Sequence, residues 1–127
     1  MSGRSVLQTA IVARLTAVLD VHVFDAPPAR GGLPYAVVDE PVLSDWSTKS
    51  WSGREGRIVL TLHDGGERPV RLRGLLAAAE DGLDGLPADL GEGWRVVRLA
   101  LVRSRVLRVG DRWRGTSELL VRMYRES

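Results

Sequence analysis

Apolar residues near the start of the chain recur at helical spacing. Leu7, Ile11, Leu15 and Val18 fall on one face, with Ala10 and Leu19 beside it, which predicts a helix over Ser5–Leu19 with Ser5 as its N-cap. The period then shortens. Val21–Phe24 reads as a short strand ended by Asp25 and Pro27-Pro28, and Tyr35–Asp39 as a second, with room to extend past Pro41 to Leu43. Ser44–Gly56 is polar and reads as a loop or hairpin tip. Arg57–His63 alternates cleanly, with Ile58, Leu60 and Leu62 on one side and Arg57, Val59, Thr61 and His63 on the other. Asp64-Gly65-Gly66 breaks that strand.

A second helix is expected from about Arg68, with Pro69 in its first turn. Its stripe is Leu72, Leu75, Leu76, Ala79 and Leu83, and Gly82 or Gly85 ends it. Asp84–Gly93 reads as a loop with one irregular turn. The last third is a long hairpin. Trp94–Val109 is β-rich, but its apolar phase slips at Leu101-Val102, which predicts a bulge or bend. Val109-Gly110-Asp111-Arg112 supplies the turn. Trp113–Arg125 then alternates, with Trp113, Leu119, Val121 and Met123 opposite Arg114, Glu118, Arg122 and Glu126. The order α-β-β-β-α-β-β, without a repeated strand–helix–strand unit, predicts one α+β domain over 1–127. Its mainly antiparallel sheet carries both helices on one face.

A chain of 127 residues is long enough to bury roughly two-thirds of its unfolded surface. No apolar run approaches the roughly 20 residues that span a bilayer, so no membrane role is expected. Zero cysteines exclude disulfides, thiolate metal sites and cysteine nucleophiles, and the cytoplasm is the expected place of folding. Charge is unevenly spread. From Trp94 to Ser127 nine arginines oppose three acids, a net of +6, which leaves −4 for Met1–Gly93. Such a division suits head-to-tail self-association. The plainer reading is arginine alternating outward on solvated strands.

No catalytic constellation is visible. His22 and His63 are the only histidines, without the convergent ligands a metal needs or a nucleophile to activate. Glu80, Asp81, Asp84, Asp89 and Glu92 run across the end of the second helix at a spacing that fits neither an EF-hand nor a glycosidase pair. Acids there oppose the helix dipole, so a basic neighbour is expected, the C-terminal arginines first. Two groups of residues are interface candidates. Trp46 and Trp51, with Lys49 and Arg54, sit in the polar segment, where large aromatics suit hot spots. Arg103, Arg105, Arg108 and Arg112 surround the final turn with Trp113 among them, a pattern also used by single-stranded nucleic-acid platforms. No RNP, KH or zinc-knuckle signature accompanies it, and a whole-chain charge of +2 is low for such a binder.

Several motifs fall in a recognisable order. Val23-Phe24-Asp25 followed by Pro27 resembles a "valine-tyrosine-aspartate, then proline" strand end. Leu33-Pro34-Tyr35-Ala36-Val37-Val38-Asp39-Glu40 resembles a "proline-tyrosine-valine-valine-leucine-glycine-glutamate" strand. Asp45 with Thr48-Lys49 follows, and Trp113-Arg114-Gly115 enters the last strand of the hairpin Arg105–Arg125. In this order, after an amphipathic helix, the chain resembles the tail-terminator (tail-completion) family of long-tailed phages, as carried by prophages and phage-like gene transfer agents. Phe24 stands where the family has Tyr, and Asp39 where it has Gly, which bears on the local bend.

The resemblance implies a non-enzymatic structural protein without cofactor or metal. It would assemble in the bacterial cytoplasm as a homo-oligomeric ring, six-fold in the family. The ring sits at the tail top on the tail tube protein, stops tube growth and offers the head–tail connector a joining surface, while DNA passes through without sequence-specific binding. A head-completion or adaptor protein of the connector is the alternative, and a small nucleic-acid-binding domain a more distant one.

Overall fold

The computed structural model describes residues 1–126. Helix α1 (Gly3–Val18) is followed by β1 (His22–Phe24), β2 (Tyr35–Val38), β3 (Val42–Asp45) and β4 (Trp51–Asp64). Helix α2 (Val70–Asp84) leads to β5 (Asp89–Gly91), β6 (Trp94–Val109) and β7 (Arg112–Glu126). The strands form one sheet in the order β1-β2-β4-β7-β6-β5, and β3 lies beside the N-terminal half of β4. All pairings are antiparallel except β1 with β2.

The α+β class and both helices on one face are as the pattern predicts, with two extra strands. The polar segment 44–56 is no free loop. β3 and the start of β4 fold it into a hairpin, because the strand from Tyr35 breaks at Asp39–Pro41 and re-enters beside β4. Likewise the expected loop 84–93 contains β5. Two glycines make the β3 hairpin possible: a Cβ at Gly56 would collide with the Val42 carbonyl, and one at Gly53 with that of Trp46. The cap of α1 also shifts. Ser2, not Ser5, is the N-cap, its Oγ accepting from the Ser5 N–H at 3.2 Å.

β4 and β7 pair without a bulge from Trp51↔Glu126 to Asp64↔Trp113, and their alternation fixes two faces. Ile58, Leu60, Leu62, Leu119, Val121 and Met123 point to the helices and are buried. Val6, Leu7, Ile11 and Leu15 of α1 and Leu72, Leu76, Ala79 and Leu83 of α2 cover them. Each such leucine contributes about 1.5–3 kcal/mol. Within this layer the Gln8 Nε2 donates to the Val38 carbonyl at 2.8 Å, tying α1 to β2. The Arg14 Nε donates to the Gly82 carbonyl at 2.7 Å, which supplies the basic neighbour expected at the end of α2 from α1 rather than from the C-terminal strands. The bulge predicted at Leu101-Val102 is present, and a second lies at Val97. Gly110, at φ 63, makes the predicted turn.

Asp64 ends β4 as a buried carboxylate. Arg71 Nε and Nη2 donate to its two oxygens at 2.9 and 2.6 Å, and the Gly65 N–H donates at 2.8 Å. The Arg71 hydrogen bond holds this carboxyl below the usual carboxylate range against the opposing effect of burial, with Gly65 adding to the depression. Because the folded-state value is the lower one, the unfolded chain binds the proton first as pH falls. The contribution is therefore complete above the unfolded value of about 3.9 and is lost as pH drops through the folded one. Thermal unfolding between about pH 3 and 7 is expected to show Asp64→Asn melting lower than wild type at neutral pH and converging on it in acid. Parallel curves would remove Asp64 from this role.

Candidate interaction surfaces

Among the described residues, the sheet face away from the helices has no covering layer. From β4 it presents Glu55, Arg57, Val59, Thr61 and His63, and from β7 Arg114, Thr116, Glu118, Leu120, Arg122 and Tyr124. β6 adds Arg95, Arg98, Arg103 and Arg105. Two arginines are neutralised here: Arg57 approaches Glu118 at 3.4 Å and Arg122 approaches Glu55 at 3.0 Å. Among the described residues, Arg95, Arg98, Arg103, Arg105, Arg112 and Arg114 make no ion pair. On the helix side of the same edge, Glu80, Asp81 and Asp84 border a recess with Leu99, Leu101 and Leu119. The sheet thus separates an arginine face from an acidic ridge, so those acids and the C-terminal arginines do not meet within one chain. Glu80 instead accepts from the Ser117 hydroxyl.

The predicted interface residues fall into two groups along the strands. The Trp46–Trp51 cluster lies near the Glu126 end of β7 and Arg108, Arg112 and Trp113 lie at the other end, with Arg103 and Arg105 at mid-strand, opposite Glu118 and Thr116. At one end Trp46 and Trp51 pack together with ring centroids 5.1 Å apart. Tyr124 meets Trp51 edge-on at 5.6 Å, and the Arg122 guanidinium lies 5.3 Å from the Trp46 ring centroid. The two tryptophans are half-buried against the uncovered face of their own sheet. Arg54 points to the other side, paired with Asp45 at 3.3 Å, and Lys49 is exposed in the turn. If the rings stabilise each other, a double-mutant cycle of Trp46→Ala and Trp51→Ala, read by chemical denaturation, gives a coupling of roughly 0.5–1.5 kcal/mol. Additive losses would show two independent side chains.

At the other end the hairpin tip is fastened to its own chain. Trp113 Nε1 donates to the Gly66 carbonyl at 3.1 Å, and Arg108 lies 5.0 Å from the Trp113 ring centroid. Arg108 also donates to the Gly110 and Glu67 carbonyls at 3.2 and 3.4 Å. Arg108 and Trp113 therefore clamp β6–β7 to the turn before α2. Their close spacing in sequence gave no sign of this, because the acceptor carbonyls lie more than forty positions upstream. Trp113→Ala is expected to lower stability by roughly 1–2 kcal/mol in thermal or urea unfolding. An unchanged midpoint would free this residue for a purely external role.

Arg103, Arg105 and Arg112 remain exposed. Arg105 and Arg114 border a concavity of about 500 Å³ floored by Tyr35, Val37, Thr61, His63 and Leu107. His63 stacks on Tyr35 at 4.8 Å, and burial followed by the nearby Arg114 pushes its pKa below the ordinary histidine value, with Asp39 opposing. The neighbouring Asp39 carboxylate accepts from the Thr61 hydroxyl at 2.9 Å. Among the described residues no three His, Cys, Asp or Glu side chains converge on a metal position, and no helix is long and apolar enough to cross a membrane.

The chain is thus a one-sided sheet with fastened hairpins, unequal strand ends and several arginines without ion pairs on its uncovered face. Residues 7–124 match the family described as tail completion protein gp17, and the chain belongs to that family of structural phage-tail proteins. Its fold is similar to that of a chain in a solved structure titled "Virion of native gene transfer agent (GTA) particle". The TM-score is 0.80 at 24% identity, over 98% of this chain and 99% of that one. No curated protein sequence matches it.

Proposed function

We propose that this chain is a tail terminator: a non-enzymatic ring, six-fold as in the resemblance above, that caps the tail tube, halts its growth and presents the surface that joins the head connector. The observation that carries this reading is the inequality of the two strand ends. One end is an aromatic cluster, Trp46, Trp51 and Tyr124; the other is an arginine-rich tip with Arg108, Arg112 and Trp113. Tube subunits add by repeating one heterologous interface, so growth has no intrinsic stopping point. A cap must match that interface on one rim and fail to reproduce it on the other. Rims of different chemistry do this without catalysis, and a ring leaves a passage for DNA that needs no base contacts. The cap would assemble in the bacterial cytoplasm and remain at the tail top of the finished particle.

The test is deletion of the coding sequence from the source genome, followed by electron microscopy of lysates. The expected outcome is tails that fail to join heads, with tubes grown past normal length. Normal-length tails attached to filled heads would sink the reading. Normal-length tails beside heads that leak DNA would transfer it to a head-completion or adaptor protein.

A further inference from the structure

β6 leaves most of its outer edge bare. β5 pairs only with Trp94 and Arg95, and the Val96 N–H donates to the Ala88 carbonyl at 2.8 Å. Beyond that point, among the described residues, Val97–Val109 has no backbone partner on its outer side. An unpaired edge of this length is a template for another strand. It also exposes apolar surface, with Val97 at 53%, Leu101 at 51% and Val102 at 43%.

The opposite margin of the sheet is built to the same plan. It consists of β3 below and β1 above, divided by the break at Asp39–Pro41. Following the pairings across the sheet, Val42 is level with Ala100 through Arg57 and Leu120, while Phe24 is level with Arg105 through Val37, Thr61 and Thr116. The bulge at Val102 divides β6 between those two levels. β1 and β3 both run antiparallel to β6. A copy rotated about an axis near the strand direction would therefore offer its β1–β3 margin to β6 in the more stable ladder geometry.

Chemistry agrees with geometry. Asp25 follows β1, exposed and, among the described residues, without an ion pair, one position past the level of the equally unpaired Arg105. His22 and Phe24 lie on the same face as Arg105 and present rings for a guanidinium. On the helix side a recess of about 380 Å³ beside β1, lined by Leu19, Val21 and Val23, has room for Ser104 and Val106. At the lower level Val42, 71% exposed, faces the apolar half of β6. The rival pairing of β6 with β6 of a second copy would set Arg103 and Arg105 against each other, which disfavours it.

We infer that β6 of one copy pairs with the β1–β3 margin of the next, so that the sheet runs continuously around the ring. This rests on the ring proposed above and adds which edges meet. The natural absence of cysteine makes the test clean. Asp25→Cys and Ser104→Cys are both exposed, outside every ion pair, and level with each other on the helix side in this register. The double variant, treated with a short bismaleimide, should give a ladder of multimers, while neither single variant cross-links. Arg105→Glu should weaken self-association roughly tenfold in sedimentation without lowering the melting temperature. Dimers from Ser104→Cys alone would overturn the inference in favour of β6–β6 pairing. Rings seen by electron microscopy without a ladder would overturn the edge assignment while leaving the ring intact. A chain that stays monomeric even with tail tubes would remove both.

Discussion

Everything in this fold depends on the unbroken register between β4 and β7. Side chains on a strand alternate, so a slip of one residue would exchange its two faces. Leu60, Leu62, Leu119 and Val121 would then face water, and Arg57, Glu118 and Arg122 would press into the helices. The fourteen pairs from Trp51 to Asp64 admit no bulge, and every other strand takes its position from this pair. β6, paired with β7 but bare on most of its outer side, accommodates two bulges whose extra residues, Val97 and Val102, are exposed.

The face without helices carries a different balance. Arg98 stands directly opposite Arg122, an arrangement of like charges that weakens a sheet. The structure relieves it by drawing Arg122 to Glu55 and over the Trp46 ring, which leaves Arg98 alone. Arg114 is similarly set beside His63, whose neutral form it favours. Arginines kept in a row without acids gain nothing for the isolated chain. In the ring proposed above, their cost would fall because Asp25, at the far margin of the next copy's sheet, would bring a carboxylate beside Arg105.

Much of this was legible in the sequence because periodicity reports burial directly. Ile58-Leu60-Leu62 and Leu119-Val121-Met123 sit on a two-residue period, Leu7-Ile11-Leu15 on a helical one, and all three sets are core. The slip at Leu101-Val102 marked a real bulge for the same reason. The β3 hairpin was anticipated only as one reading of 44–56, and its strands were not separated from a loop, because the pairing depends on what two glycines allow, not on apolar alternation. The Arg108–Trp113 clamp was hidden because its acceptors are backbone carbonyls of the 66–67 turn, which carry no side-chain signature. Asp64 looked like a turn residue, and only Arg71, seven positions on and brought back by the start of α2, makes it a buried carboxylate. Among the interface candidates, Arg103, Arg105 and Arg112 are exposed, whereas Arg108 and Trp113 contact the 66–67 turn and Trp46 and Trp51 pack on each other, contacts that left no mark in the sequence.

That separation changes how the assembly must work. A hairpin tip free to move would be a poor rim, since docking would cost the entropy of ordering it. Fastening the tip through Trp113 and Arg108 to the Gly66–Glu67 carbonyls, and the other end through the stacked tryptophans, makes both strand ends rigid before any partner arrives. Rigid ends on a sheet whose lateral edges stay open leave one direction for growth, sideways around the strand axis. In the ring proposed above, closure of that rotation would consume the edges. In that ring the two unequal ends would then become continuous rims, one able to continue the tube's contact and the other unable to repeat it.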